Sequence, residues 1–154
     1  MHGILNMTSS PKLADILLVE DNEGDIELTK DAFEEAKMRN TLHIVDDGEK
    51  ALDFLYKRNG YEGRPTPDII LLDLNLPKVD GREVLKTIKN DPDLKRIPTV
   101  ILTSSHADKD ILDSYNLHAN SYIVKPVDAM KFMEVIQQLK SFYVEVVCLP
   151  STAA

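Results

Sequence analysis

The apolar positions of this chain are gathered into short unbroken runs, and the runs end on polar or charged residues. Ile16-Leu17-Leu18-Val19 stops at Glu20-Asp21, Ile69-Ile70-Leu71-Leu72 at Asp73, and Ser121-Tyr122-Ile123-Val124 at Lys125-Pro126, while Thr99-Val100-Ile101-Leu102-Thr103 runs into Ser104-Ser105. Runs of this length without apolar–polar alternation predict strands covered on both faces, the arrangement of parallel sheets. His43-Ile44-Val45 is a weaker strand candidate. Between the runs the period changes to that of helices. Ile26, Thr29, Phe33 and Ala36 predict a first helix to about Lys37, with Asn22 and Asp25 as candidate caps. Ala51, Leu52 and Leu55 predict a second helix, and Val84, Leu85 and Ile88 a third, opened by Asp80-Gly81 and ended near Asp91-Pro92. Asp108 to Asn116 reads as a short fourth helix with Ile111, Leu112 and Tyr115 on one side; Phe132, Met133, Val135, Ile136 and Leu139 line the fifth. Two glycines and two prolines in Asn59 to Pro67 mark a loop before the central strand.

Five strands alternating with five helices predict an α/β fold, a five-stranded parallel sheet wound doubly by helices on both faces. The chain of 154 residues reads as one domain over 14–142, with a lead-in at 1–13 and a C-terminal extension at 143–154. The net charge of −8 opposes attraction to nucleic-acid backbones and anionic membranes, so neither is expected as a partner. A single cysteine, Cys148, and the lack of a basic-then-apolar leader point to a reducing cytoplasm. His43, His106 and His118 show no paired helical spacing, which argues against a histidine metal site.

Parallel strands present their carboxyl ends to one edge, so Glu20, Asp21, Asp73, Thr103 and Lys125 become neighbours there. Three carboxylates together repel unless a cation intervenes. Carboxylate oxygens with room for water and phosphate suit Mg²⁺. Lys125 adds a point charge and Thr103 a hydroxyl donor. Such a group can receive a tetrahedral anion beside a carboxylate nucleophile, and the expectation is an aspartyl phosphate at Asp73.

Leu17-Leu18-Val19-Glu20-Asp21, Asp73-Leu74-Asn75-Leu76-Pro77 with Asp80-Gly81, Thr103-Ser104-Ser105 and Tyr122-Ile123-Val124-Lys125-Pro126 together resemble the receiver domain of two-component response regulators, over about residues 14 to 142. The Asp73-to-Asp80 loop, the long loop before the central strand and the Ser141-to-Pro150 ending look like the single-domain regulators paired with phytochromes. The resemblance implies a flavodoxin-like receiver fold in which Asp73 is phosphorylated by a sensor histidine kinase. It further implies Mg²⁺ held directly by Asp21 and through water by Glu20, with Asp73 and the Asn75 backbone carbonyl also in the metal site, and Thr103 and Lys125 on phosphoryl oxygens. Tyr122 would be the switching aromatic, Asn75 and Ser105 would set the lifetime of the phosphate, and Lys125-Pro126 would be a cis peptide. Glu20 stands where an aspartate is commoner in the family. Output would run through phosphorylation-dependent binding to a downstream protein, without an output domain, and the chemistry would be limited to Mg²⁺-dependent self-phosphorylation and autodephosphorylation.

An aspartate-nucleophile phosphatase is the enzyme alternative, but such enzymes place a second acid two residues after the nucleophile, where this chain has Asn75. A flavodoxin-like cofactor binder would need a Ser/Thr/Gly-rich loop after the first strand. Phe142, Tyr143, Val144, Val146, Val147 and Leu149 continue apolar beyond the last helix, which predicts a homodimer through that helix and tail.

Overall fold

The computed structural model describes residues 13–105, 107–114 and 119–139. Within them the strands are β1 (Ala14–Val19), β2 (Asn40–Val45), β3 (Ile69–Asp73), β4 (Thr99–Thr103) and β5 (Ser121–Val124). The α-helices among the described residues are α1 (Glu23–Glu35), α2 (Gly48–Tyr56), α3 (Gly81–Asn90), α4 (Ala107–Ser114) and α5 (Ala129–Gln138), with a 3₁₀ turn at Leu94–Arg96. All strand pairings are parallel, in the order β2-β1-β3-β4-β5. The expected α/β architecture is therefore the observed one.

The uninterrupted aliphatic runs follow from two covered faces. Ile16, Leu18, Ile69, Leu71, Val100 and Leu102 point into one core, closed by Ala32 and Phe33 of α1 and Phe132, Val135 and Ile136 of α5. Leu17, Val19, Ile70, Leu72 and Ile101 point into the other, closed by residues of α2, α3 and α4 that include Phe54, Leu85, Ile88 and Leu112. Phe33 and Phe132, their ring centroids 4.4 Å apart, join α1 to α5. Among the described residues, no helix is long and apolar enough to cross a membrane.

Local chemistry explains where the helices begin and end. Asn22, Asp47, Asp80 and Asp128 cap α1, α2, α3 and α5, each accepting a hydrogen bond from a backbone N–H of the first turn. Asp25 is not a cap, contrary to expectation; it lies inside α1 and donates its own N–H to Asn22 Oδ1 at 2.9 Å. The first helix stops at Glu35 rather than Lys37, because Lys37 takes a left-handed φ of 57°. The fourth helix starts one residue before Asp108. His43 is packed: its ring lies 5.3 Å from that of Phe54, and its Nε2 is 3.1 Å from Asp15 Oδ1. Residues 1–12 of the lead-in, the expected end of the fourth helix at residues 115–116, and the tail over 143–154 with the dimer contact expected there, lie outside the described residues.

Gly81 starts α3 directly against the end of β3. A Cβ at that position would be driven into the Asp73 carbonyl oxygen and would stand 2.6 Å from Leu74 Cα. Those atoms are backbone and can yield only by displacing Asp73. Gly81→Ala is therefore expected to cost about 2–4 kcal/mol, overpacking with no flexible neighbour to absorb it. Urea unfolding checks this, and an unchanged midpoint would remove the close approach from the account.

Candidate functional site

In the order β2-β1-β3, successive connections diverge between β1 and β3, and the crevice at such a switch point collects ligands. The acids expected at the strand ends meet there. Glu20 follows β1 and is 1% exposed, Asp21 beside it is exposed, and Asp73 ends β3 and is 4% exposed. One carboxylate oxygen from each lies within 4.8 Å of the others. Lys125 follows β5 across the cis Lys125-Pro126 peptide's N-terminal side and is anchored by its own N–H to the Thr103 carbonyl at 2.7 Å.

The Lys125 ammonium is the hub. Its Nζ lies 2.8 Å from Glu20 Oε1, 2.8 Å from Asp73 Oδ2 and 2.9 Å from Asp25 Oδ2. Burial disfavours its charge, but hydrogen bonds to Asp73, Glu20 and Asp25 outweigh that and raise its pKa above the usual lysine range. Asp73 is held at both ends, since its Oδ1 accepts the Asn75 N–H at 3.0 Å. Glu20 Oε2 accepts the Asn22 N–H at 3.3 Å. Its Oε1 meets the ammonium as an ion pair but accepts no well-directed hydrogen bond, so a buried carboxyl oxygen keeps lone pairs free of directed hydrogen bonds.

Such an oxygen beside Asp21 and Asp73 fits a divalent cation of the hard, oxygen-preferring kind. Burial first, and then the neighbouring Asp73, push the Glu20 carboxyl up from 4.5 to about 7. A carboxyl raised in the fold contributes stability that is full below its unfolded value and is lost as pH rises through about 7. A cation held by these acids would favour ionised Glu20, so metal affinity would run the opposite way. Calorimetric Mn²⁺ titrations between about pH 5.5 and 8.5 are expected to show affinity rising severalfold toward pH 7 and levelling above it. A flat profile would detach Glu20 from the metal cluster.

Thr103 closes β4 and is 1% exposed. Its hydroxyl is directed at the Asp108 carboxylate at the start of α4, with the Ser105 carbonyl 3.1 Å away, and the Ser105 N–H donates back to it at 3.2 Å. The other Asp108 oxygen lies 3.6 Å from Arg82 Nη2 of α3. Asn75 and Ser105 are exposed at the rim, beside Asp73 and Thr103 respectively. Tyr122 is not part of the carboxylate cluster. It pairs in register with Ile101, two residues back from Thr103, and packs half-buried against the core under α2, α3 and α4.

Two residues of the arrangement escaped the sequence reading, Asp25 and Asp108. Asp25 carried a faint signal, since it adjoins Ile26 and stands one turn before Thr29 on the stripe that faces the sheet. Asp108 carried none, because its partner Thr103 becomes a neighbour only once β4 turns into α4.

The receiver domain model of response regulators matches residues 16–137. The chain is 45% identical over 144 residues to Response regulator Rcp1 of Synechocystis sp., a match covering 94% of this chain and 97% of that protein. The phosphorylated cyanobacterial phytochrome response regulator RcpA is similar in structure, with a TM-score of 0.71 at 42% identity over 86% of this chain and 95% of that one. The Mn²⁺-bound form of Rcp1 gives 0.70 at 46% identity, over 87% and 96%. A divalent metal is thus bound by a relative that this chain matches over 87% of its length. The chain belongs to the response regulator receiver domain family.

Proposed function

We propose that Asp73 is the phosphoacceptor of a two-component response regulator, charged by a sensor histidine kinase. The observation that carries this reading is the state of Asp73 itself: a buried carboxylate at a strand end, one oxygen on an ammonium and within reach of two further carboxylates. One Asp73 oxygen attacks phosphorus, the bond from phosphorus to the donor's imidazole nitrogen breaks, and its electron pair returns to the imidazole. The product is an acyl phosphate on Asp73. Water attacking phosphorus later returns the carboxylate and inorganic phosphate.

Lys125 and Thr103 are assigned to the oxygens of the transferred group, since an ammonium and a hydroxyl both donate to anionic oxygen. Glu20, Asp21, Asp73 and the Asn75 carbonyl would hold Mg²⁺, which when bound supplies charge neutralisation at the phosphoryl oxygens. Asn75 and Ser105, exposed two residues past Asp73 and Thr103, are assigned to the lifetime of the phosphate. To meet a phosphoryl group Thr103 must leave Asp108, and Tyr122, two residues back on the neighbouring strand, is assigned to follow that movement. The outcome is a change of protein surface rather than turnover of a metabolite. The similar regulator RcpA is a phytochrome response regulator, which supports a light-sensing kinase as donor and a cytoplasmic setting. Pairing of two copies through α5 and the tail, with Met130 of α5 74% exposed, belongs to the same reading.

Intact mass after incubation with acetyl phosphate tests it. One phosphoryl adduct that requires Mg²⁺ and maps to the peptide containing Asp73 is expected. A folded wild-type protein that gains no adduct would overturn the assignment.

A further inference from the structure

Lysine has three N–H groups to give; Lys125 donates to Asp73 and Asp25 and meets Glu20 as an ion pair. Glu20, Asp73 and Asp25 each stand within 2.9 Å of its Nζ. Asp25 differs from the other two. It lies outside the group of acids whose oxygens converge for a metal, its side chain is 31% exposed, and it comes from the first turn of α1. Its carboxylate does not cap the helix, because Asn22 performs the capping and Asp25 takes part in it only through its backbone N–H.

A phosphoryl group on Asp73 must compete for an ammonium already ringed by three carboxylates. Glu20 is too buried to release: with 1% exposure it has no water to replace the cation. Asp25 can turn to solvent and be hydrated at little cost. We propose that Asp25 is a positioning residue which holds one N–H of Lys125 until an incoming phosphoryl group displaces it, and so sets how tightly the site takes phosphoryl donors. This rests on the phosphoacceptor reading of Asp73. Asp25 acts twice against the incoming group, as a rival acceptor for the ammonium and as a negative charge beside an anionic ligand.

The measurement is a titration with beryllofluoride at saturating Mg²⁺, followed by ¹⁹F resonance of the bound anion, on wild type, Asp25→Asn and Asp25→Glu. Asp25→Asn is expected to bind about two- to fivefold more tightly, the range for removing one partly exposed ion pair. In acetyl phosphate kinetics the same variant is expected to lower KM with little change in kcat, and Asp25→Glu to return toward wild type. A merely structural role would not tighten anion binding or be rescued by the restored charge. Asp25→Ser, which also keeps a polar residue in the first turn, carries the same test if the asparagine variant does not fold. Equal or weaker binding by folded variants, with wild type binding normally, would overturn the role of Asp25 alone. Absence of binding by wild type would overturn the phosphoacceptor reading, and this inference with it.

Discussion

Asp73→Asn is expected to leave a folded protein that takes up no phosphoryl group. An amide oxygen is a poor nucleophile beside a carboxylate, and the initial rate of adduct formation should fall by at least about a thousandfold. The fold should survive because the substitution trades losses against gains. Asp73 accepts two hydrogen bonds, from the Asn75 N–H at 3.0 Å and from Lys125 at 2.8 Å, while an asparagine offers only one acceptor oxygen. One donor is therefore left facing an NH₂ group, at a cost of about 1 kcal/mol. Against this, the variant removes one of the three negative charges crowded with Glu20 and Asp21. The net change in unfolding free energy should stay within about 1 kcal/mol, and metal affinity should drop with the lost ligand. Intact mass, urea unfolding and Mn²⁺ calorimetry on the same preparation distinguish these effects. A variant that still gains the adduct at the wild-type rate would move the phosphoacceptor elsewhere.

Lys125→Met should have the largest effect on stability. Methionine keeps an unbranched apolar stem in place of the lysine chain, so the loss is chiefly that of the charge. Glu20, Asp25 and Asp73 would then face one another without a cation, and two of them are almost fully buried. Breaking a buried pair from one side costs about 3–5 kcal/mol, which in a domain of this size lowers Tm by about 10–15 °C. The deficit should be greatest with a chelator present and should shrink with divalent cation, which supplies positive charge to Glu20 and Asp73. Thermal unfolding with chelator and with Mg²⁺ checks both statements. A variant that melts with the wild type in chelator would show that the carboxylates are stabilised by protonation or water rather than by Lys125.

The fold was legible because its signals are local. A run such as Ile69 to Leu72 has no polar face, so it can only be a strand covered on both sides, and Asp73 directly after it marks the end. The caps at Asn22, Asp47, Asp80 and Asp128 act over two or three residues and could be read in the same way. Glu20, Asp21, Asp73, Thr103 and Lys125 were legible as a group because parallel strands deliver their ends to one edge. Errors arose where a short-range reading competed with a distant partner. Asp25 has the composition of a cap, yet its carboxylate is drawn to Lys125, one hundred residues further along the chain.

By itself, then, the sequence determined the five strands, the helices between them and the set of residues at the sheet's carboxyl edge, since hydrophobic period and capping are properties of neighbouring residues. Only the tertiary structure decided how the charges are shared. That Lys125 serves three acids at once, that Glu20 keeps an oxygen free of directed hydrogen bonds, and that Thr103 is turned toward Asp108 depend on distances between elements far apart in the chain. Electrostatic energy varies with those distances and with burial, and neither is written in the order of the residues.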